Sequence, residues 1–290
     1  MRKKTDIYDV LLIFFISLWT LIIVFPFINV IVISFTTNKE YFMNPLLLFP
    51  RNPTLKNYVD LFVDGRIWIG YRTTLQIMLL GLPLNLFLTT SLSYGLSRKR
   101  YPGRKLIFNI VLITMLFNGG IIPMYMLMMK LHLTNTLGSV VFAYGINTFY
   151  MIIMLNFFSS LPEALFESAK IDGAGEWTIL FRIILPLSMP IIATIILFYT
   201  VDRWNEWFNA MIFIRNPNLQ PLQLVLRSIV LESQQLNAVS SKGGVLIDEQ
   251  KFSNGLKMAA VVVTILPVMC VFPFLQKHFV KGVMVGAIKS

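Results

Sequence analysis

Six charged side chains stand within the twenty residues 163–182, between two apolar stretches. They are Glu163, Glu167, Lys170, Asp172, Glu176 and Arg182. Residues 131–162 contain no Lys, Arg, Asp or Glu, and another apolar run starts at 183. Carboxylates and cations at this density pair with one another or with a partner protein, and they resist burial in apolar surroundings. Residues 161–182, here called the charged loop, are therefore a candidate contact site.

Local signals predict that the charged loop begins with a short helix. Ser160 and Glu163 have the spacing of a capping box, which predicts a helix start near Leu161 with Pro162 tolerated in the first turn. Glu163 and Glu167 are four residues apart and share one face of such a helix. The helix is therefore expected to be amphipathic, with its acidic side chains on the outside.

Gly173 is expected to end this helix, because glycine adopts the left-handed conformation at low cost. A second helix is predicted to begin near Glu176 and to run into the next apolar stretch, where Pro186 and Pro190 should bend it. A slim, charged helical hairpin of this kind fits a groove on another protein. A solvated hairpin and a helix lying on the membrane surface are the alternatives.

The composition of the whole chain indicates a membrane protein. Its mean hydropathy is +0.70 and only 13% of its residues are charged, against about 25% in soluble domains. Six charge-free runs of at least 19 residues occur, at 10–38, 73–97, 106–129, 131–162, 183–201 and 258–276. Spanning the hydrocarbon core takes roughly 20 helical residues. We therefore predict one all-α membrane domain over 1–290, with six spans at about 10–36, 72–97, 106–129, 137–160, 183–206 and 257–277.

The distribution of basic residues predicts the orientation. The net charge of +11 would suit a nucleic-acid-binding protein, but cytoplasmic loops of membrane proteins are also enriched in Lys and Arg. The loop SRKRYPGRK, 97–105, has five basic residues in nine, and three more follow the first Met. We therefore predict no nucleic-acid partner, both termini in the cytoplasm, and external loops at 38–71 and 207–256. The second loop is expected to hold one or two short helices, and it either meets an external partner or only connects two spans.

No catalytic site is apparent from the motifs. The patterns G-x-x-x-x-G-K-[ST], HExxH, CxxC and GxSxG are absent from the sequence. His132 and His278 are predicted on opposite sides of the membrane, so they cannot share a metal ion. We expect no catalytic residue, no metal site and no enzymatic activity in this chain.

The charged loop resembles the cytoplasmic signature of the membrane subunits of binding-protein-dependent ABC importers. That signature reads E-A-A, three residues, G, nine residues, I, one residue, L-P. Here Glu167–Ala169 is followed by Gly173 and then by Ile183 and Leu185-Pro186 at the same spacings, with Ser168 in place of the middle Ala. The stretch ESAKIDGAGEWTILFRIILPLSMP and the tail LQKHFVKGVMVGAIKS are similar to the maltose-type carbohydrate subfamily.

The resemblance implies that the helix around Glu163–Asp172 is a coupling helix, which docks in a cleft of a cytoplasmic ATPase subunit. The implied contact residues are Glu163, Glu167, Ser168, Ala169, Asp172, Gly173 and Ala174. The tail residues Gly282, Gly286 and Lys289 are implied as further contacts to the ATPase. ATP and Mg would be bound by that partner, and no cofactor by this chain.

The resemblance also implies a sugar path, since sugars bind through hydrogen bonds and by stacking on aromatic rings. The candidates are Gln76, Asn85, Asn118, Tyr144, Asn147, Tyr199, Trp204 and Asn205. Gly81 and Pro83 predict a kink that opens a cavity beside Asn85. Hydrogen bonding between helices is the alternative role for each polar residue, and interfacial anchoring is the alternative for Trp204.

These observations predict a permease subunit of an ATP-driven sugar importer, with an oligosaccharide as the expected cargo, in a bacterial plasma membrane. It would pair with a second six-span subunit, most simply a different chain, and with lipid. Two ATPase subunits would sit inside and a substrate-binding protein outside, and the assembly would work by alternating access. An importer of a non-sugar solute, a stand-alone secondary transporter or channel, and a membrane scaffold remain the alternatives.

Overall fold

The regular structure of the chain is helical throughout the part that is described. The computed structural model describes residues 7–43, 47–99, 101–243 and 254–287, and no strand occurs in those ranges. The first helices are α1 (Ile7–Ser34), α2 (Asn38–Met43), α3 (Lys56–Val63), α4 (Arg66–Ser97), α5 (Arg104–Leu116), α6 (Ile121–Lys130), α7 (Leu137–Ala143) and α8 (Thr148–Ser160). They are followed by α9 (Ala164–Ile171), α10 (Glu176–Ile179), a π-helical turn (Leu180–Ile184), α11 (Leu185–Leu187), α12 (Met189–Trp204), α13 (Phe208–Phe213), α14 (Leu222–Gly243) and α15 (Asn254–Ala287).

Two helices, α1 and α4, are long and apolar enough to cross a membrane. Three other apolar segments are helix pairs bent at a short break: α5 with α6 by 117°, α7 with α8 by 50°, and Glu176–Leu187 with α12 by 86°. If each pair is one span, the described residues contain up to 5 spans. The sixth predicted span, 257–277, falls within α15, whose side chains are described only as far as Cys270. A count of six therefore stays a prediction.

The bend before α12 confirms the effect predicted for its prolines. Pro190 carries no N–H, and its ring excludes the carbonyl four residues earlier from a regular helical bond. The helix is interrupted at Ser188, whose N–H donates to Ile184 O at 2.9 Å. A π-helical turn, Leu180–Ile184, precedes the interruption. The segment from Glu176 therefore meets α12 at nearly a right angle instead of running straight into it.

The capping box predicted at the start of the charged loop is wrong. Ser160 is the last residue of α8, and its hydroxyl donates to Phe157 O at 2.7 Å. Leu161 is extended, with φ −71° and ψ 140°, because a residue before proline is disfavoured in the helical region. The next helix, α9, therefore begins three residues later than predicted, at Ala164.

The segment 207–256 is more helical than predicted. It contains α13, a 3-10 turn at Pro217–Leu219 and the 22-residue helix α14. The α14 N-terminus is held by the Thr74 hydroxyl, which accepts a hydrogen bond from Leu222 N at 2.9 Å. Charged and polar residues, with a glycine at its end, obscured the apolar periodicity of α14 in the sequence.

The chain divides into two compact units, one of residues 1–68 and 225–268 and the other of residues 69–224 and 269–290. In the first unit, the buried amide of Asn57 donates to Ser34 O and to Thr36 O, both at 2.9 Å. Gly255 lies against that amide with no room for a Cβ atom. These contacts fix α3 against the end of α1.

The second unit has its main core below the charged loop. Phe158, Ile179, Ile184 and Ile195 are fully buried there, together with nearly buried Phe166 of α9. The core joins side chains of α4, α8, α9, α10 and α12. The charged loop is therefore packed onto the ends of the apolar helices and is not a freely solvated hairpin.

Candidate functional site

The backbone of the charged loop is fixed by a Schellman motif at the end of α9. Gly173 has φ +78°, a conformation that side chains with a Cβ atom rarely adopt. Gly173 N donates to Lys170 O at 3.0 Å, and Ala174 N donates to Ala169 O at 2.9 Å. These are the two bonds that define the motif. The glycine turn predicted from the sequence is thus confirmed, and it sets the angle at which α10 leaves α9.

The α9 helix presents its polar residues outward. Phe166 and Ala169 are buried, with 4% and 6% of their surface exposed. The other residues predicted to contact an ATPase are Glu163, Glu167, Ser168, Asp172 and Gly173, which are exposed, and Ala174, which is half-buried. The buried residues therefore anchor the helix, while the carboxylates of Glu163, Glu167 and Asp172 stay exposed; that of Glu163 pairs with Lys99 Nζ at 3.3 Å. Of the predicted tail contacts, Gly282 and Gly286 lie where only the backbone of α15 is described, and Lys289 lies outside the described residues.

Glu176 ties the two helices of the charged loop to the end of α4. Its carboxylate pairs with Lys170 Nζ at 2.7 Å and accepts a hydrogen bond from Tyr94 Oη at 2.6 Å. The bond from Lys170 and then the bond from Tyr94 lower the pKa of the Glu176 carboxyl below its ordinary value of 4.5. This carboxyl lies outside the predicted span 183–206, and because its pKa is lowered it is charged at neutral pH. It connects α10 with α4 and α9.

Arg98, which directly follows α4, lies over the ring of Phe166. Its guanidinium carbon is 3.3 Å from the centre of that ring and 5.4 Å from the centre of the Tyr94 ring. Burial lowers the pKa of Arg98, but an arginine remains protonated at any physiological pH. A cation held over two aromatic rings is a stable contact. It joins the α4 terminus to the buried face of α9.

A cavity of about 550 Å³ lies beside these contacts. Its lining includes Tyr94, Arg98, Phe166, Glu167, Lys170 and Glu176. Sequence reasoning used Arg98 only to assign orientation, and it gave Tyr94 no role at this end of α4. Tyr94 and Arg98 are four residues apart in the sequence, which places both on one helical face at the predicted membrane boundary and could have indicated a shared contact.

A second cavity, of about 390 Å³, lies at the junction of the α7–α8 break with the end of α12. It is lined by Tyr144, Asn147, Tyr199, Asp202, Arg203, Asn205, Glu206, Trp207, Phe208 and Asn209. Four of the residues predicted for a sugar path meet here: Tyr144, Asn147, Tyr199 and Asn205. Amide groups and aromatic rings of this kind suit a polar ligand.

Arg203 forms the back of this second cavity and is only 2% exposed. Its Nε donates to Asn85 Oδ1 at 3.1 Å, and its Nη1 donates to Val140 O at 2.9 Å. Its Nη2 donates to Val141 O at 2.9 Å and to Tyr144 O at 3.0 Å. Carbonyls at the C-terminal end of a helix carry partial negative charge, so α7 supplies the compensation that a buried cation needs. Within the described residues, no carboxylate oxygen lies within the 4.0 Å ion-pair distance of Arg203.

Asn85, beside which the kink was predicted to open a cavity, packs against the Arg203 side chain and is not among the residues that line the second cavity. Asn85 is fully buried, and its amide donates to Tyr144 O at 2.6 Å and to Gly145 O at 2.9 Å. A Cβ atom on Gly81 would lie 2.9 Å from Arg203 Nε. Glycine at position 81 therefore allows the guanidinium to lie close to α4. The helix α4 itself continues through Pro83 as one element over Arg66–Ser97.

Tyr199 holds the other side of the α7–α8 break. Its hydroxyl is 2.7 Å from Thr89 Oγ1 and accepts a hydrogen bond from Asn147 N at 3.0 Å. Asn147 in turn caps α8 by accepting from Phe149 N and Tyr150 N, at 3.0 and 3.3 Å. The break at Tyr144–Asn147 is thus fixed by side chains from both α4 and α12.

Three of the predicted sugar-path residues lie away from the second cavity. Gln76 is half-buried on α4, and Asn118 is exposed in the break between α5 and α6, where its side chain accepts from Gly120 N at 2.9 Å. Trp204 is 8% exposed, with its ring 6.1 Å from that of Tyr71. Sequence reasoning missed Asp202, Arg203 and Glu206, which line the cavity. The sequence does show that these three ionisable residues directly follow the charge-free run 183–201. Ionisable residues within or next to a membrane span often have a functional role.

Replacing Arg203 tests the clamp at the α7–α8 break. Arg203→Lys keeps the charge but cannot reach acceptors spread over Asn85, Val140, Val141 and Tyr144. Each buried acceptor left without a donor costs about 1–3 kcal/mol. We expect a loss of about 2–5 kcal/mol in the free energy of unfolding, measured by thermal unfolding in detergent. Arg182→Lys, at an exposed position, is the control and should unfold as the wild type does.

The pH dependence of unfolding tests the Glu176 contact. Because its pKa is lowered in the folded protein, the carboxylate stabilises the fold above pH 4.5, and this contribution disappears as the pH falls through the lowered value. We expect Glu176→Gln to lower the midpoint of thermal unfolding at pH 7, and the difference from the wild type to shrink as the pH falls below 4.5 and to vanish once the pH is below the lowered pKa of this carboxyl. A difference that persists unchanged at acidic pH would contradict a role for the charge.

Comparisons with known proteins identify the family. The model described as binding-protein-dependent transport system inner membrane component matches residues 5–285. The chain is 37% identical over 288 residues to the protein LplC of Bacillus subtilis, covering 99% of this chain and 97% of LplC. It is also 37% identical over 287 residues to the polygalacturonan/rhamnogalacturonan transport system permease protein YtcP of that organism, covering 99% of this chain and 100% of YtcP.

The fold has a counterpart among solved structures. A crystal structure of a bacterial ABC transporter involved in the import of the acidic polysaccharide alginate contains a chain that superposes with a TM-score of 0.84. The identity is 27%, and the match covers 94% of this chain and 96% of that chain. Family membership decides against a stand-alone secondary transporter, a scaffold or an enzyme. The chain belongs to the binding-protein-dependent transport system inner membrane components and is a multi-pass permease subunit of an ABC importer.

Proposed function

We propose that this chain forms half of the translocation pathway of an ATP-driven oligosaccharide importer, and that α9 is its coupling helix. The observation that carries the proposal is the shape of the charged loop. Phe166 and Ala169 anchor it in the core, its turn is fixed by Gly173, and Glu163, Glu167 and Asp172 are exposed on it. A rigid, slim and acidic projection suits a groove in an ATPase subunit, where charge gives orientation more than affinity.

The sugar assignment is supported by two relatives and by the second cavity. YtcP is named for polygalacturonan and rhamnogalacturonan, and the superposed structure is of an alginate importer. The cavity of about 390 Å³ presents Tyr144, Asn147, Tyr199 and Asn205. Its size falls in the range of roughly 300–1,000 Å³ that small-ligand sites occupy. We propose that these four residues contact the sugar, and that Asn85 positions the α7–α8 break instead. Gln76, Asn118 and Trp204 remain candidates for other parts of the path.

We also propose the arrangement of the chain in its membrane. Six spans would place both termini and the charged loop in the cytoplasm and 38–71 and 207–256 outside. The helix α1 supports a membrane span, because none of its 18 most apolar consecutive residues is buried within the chain. Such a surface needs lipid or a partner helix. The importer would comprise this chain, a second six-span chain, two ATPase subunits that bind ATP and Mg, and an external binding protein. The tail residues Gly282, Gly286 and Lys289 would also reach the ATPases.

This subunit would couple the opening and closing of the ATPases to the change of its spans between inward-facing and outward-facing states. Binding of ATP would close the ATPases and displace α9, and the spans would change from inward-facing to outward-facing. Sugar delivered from outside must prefer the outward-facing state for this to produce import. The permease therefore needs a stiff connection between α9 and the cavity, and it needs no catalytic group of its own.

Uptake in cells tests the function as a whole. A strain lacking this chain should lose ATP-dependent uptake of labelled oligosaccharides and regain it with the tagged wild type. Purification of the tagged chain under mild conditions should bring down an ATPase and a second six-span protein in fixed ratio. Recovery of the chain alone, with solute movement in liposomes that needs no ATP, would contradict the proposal.

A charge reversal tests the coupling helix. Glu167→Arg changes an exposed residue whose side chain faces away from the core, so the fold should survive. We expect oligosaccharide uptake to fall at least about tenfold, either because the ATPase no longer docks or because ATP hydrolysis is uncoupled from transport. Asp60→Lys, on α3, is the control and should support normal uptake. Full uptake by Glu167→Arg would mean that α9 does not couple the two subunits.

A further inference from the structure

One face of α4 carries a polar side chain at every fourth position. These residues are Asn85, Thr89, Ser93 and Ser97, and the first three are fully buried. Positions four apart lie above one another on a helix. The four therefore form a continuous stripe, here called the α4 stripe, on a helix that is otherwise largely apolar.

Three members of the α4 stripe bind neighbouring helices. Asn85 donates to two carbonyls at the α7–α8 break, at 2.6 and 2.9 Å. Thr89 pairs with the Tyr199 hydroxyl of α12 at 2.7 Å. Ser93 donates to Met151 O of α8 at 3.0 Å. Buried hydrogen bonds of this kind oppose sliding, because a displaced donor would be left without a partner.

The last member of the stripe orients the contact to the charged loop. Ser97 Oγ accepts from Arg98 Nε at 3.2 Å and from Arg98 Nη2 at 3.1 Å. The guanidinium is thereby held over Phe166 of α9. On the same end of the helix, Tyr94 donates to Glu176, which is paired with Lys170 of α9. One uninterrupted helix thus connects the charged loop with the cavity, and the 12 steps from Asn85 to Ser97, at 1.5 Å each, span about 18 Å.

We propose that Tyr94 and Arg98 are positioning residues through which α9 moves α4, so that displacement of the charged loop by the ATPase reorients the Tyr144–Asn147 break at the cavity. The inference rests on the proposed function and adds the route of the coupling. At one end, Tyr94 and Arg98 contact α10 and α9. At the other end, the α4 stripe is hydrogen-bonded to the break and to Tyr199. Neither residue touches the sugar or the ATP.

The test is the number of ATP molecules hydrolysed per sugar transported by the complete importer in proteoliposomes. Tyr94→Phe removes one hydroxyl and keeps the ring, and Arg98→Gln removes the cation. We expect either change to raise the ratio roughly fivefold or more, the lower bound of typical coupling effects, while the subunits still co-purify in the wild-type ratio. Arg98→Lys keeps a cation over Phe166 and should restore part of the coupling. Tyr125→Phe, whose hydroxyl accepts only a 3.4 Å bond from Arg215, is the matched control and should leave the ratio unchanged.

Variants at the far end of α4 complete the test. Thr89→Val should also raise the ratio, and adding Tyr94→Phe to it should change little further, since the same route is already interrupted. Glu176→Gln, at an exposed position, removes the charge that pairs with Lys170 and weakens the bond from Tyr94, because an amide oxygen is a weaker acceptor than a carboxylate. This variant replaces Tyr94→Phe in the test if Tyr94→Phe does not assemble. A wild-type ratio in Tyr94→Phe, Arg98→Gln and Glu176→Gln would overturn this inference alone. Failure of the wild-type assembly to import any oligosaccharide with ATP would overturn the proposed function, and the inference with it.

Discussion

The buried guanidinium of Arg203 is the constraint on which the second unit depends. A cation that is 2% exposed among apolar helices must be surrounded by acceptors. The chain supplies them by ending α7 at Ala143, so that two of its last carbonyls and that of the next residue, Tyr144, accept from Arg203, and by placing Asn85 opposite. Gly81 leaves the necessary space on α4. The break at Tyr144–Asn147, and with it the shape of the cavity, follows from satisfying this one charge.

A second set of polar contacts stands at the other end of α4, and it has the opposite character. Glu176, Lys170 and Glu163 are about half exposed or more, and their ion pairs are accessible to water. Such pairs contribute little stability one by one. These pairs instead help to set the orientation of α9 relative to α4, while the apolar core beneath them already fixes the loop. A stiff loop with a charged, exposed surface is the arrangement that the proposed coupling to an ATPase subunit requires.

Much of this organisation was predictable from single residues and their spacing. Gly173 had to be left-handed, because only glycine does so cheaply after an amphipathic turn. The apolar runs required lipid, and Pro186 with Pro190 required a bend. The prediction failed where two local signals competed. Ser160 and Glu163 matched a capping box, but Pro162 kept Leu161 out of the helical region, so α9 began at Ala164. In 207–256, polar composition suggested a loop although α14 is long.

The sequence by itself determined the class of protein, the place of the charged loop and the turn within it, because these depend on composition and on neighbours within a few residues. Tertiary structure alone decided which polar residues meet. Asn85 and Arg203 are 118 residues apart, and Tyr94 and Glu176 are 82 apart, so no local pattern pairs them. The same reasoning explains why the sequence left the role of Asn85 open between a sugar contact and a contact between helices. An amide in an apolar helix must find partners, but whether they are a sugar, a carbonyl or a buried arginine depends on what packs against it.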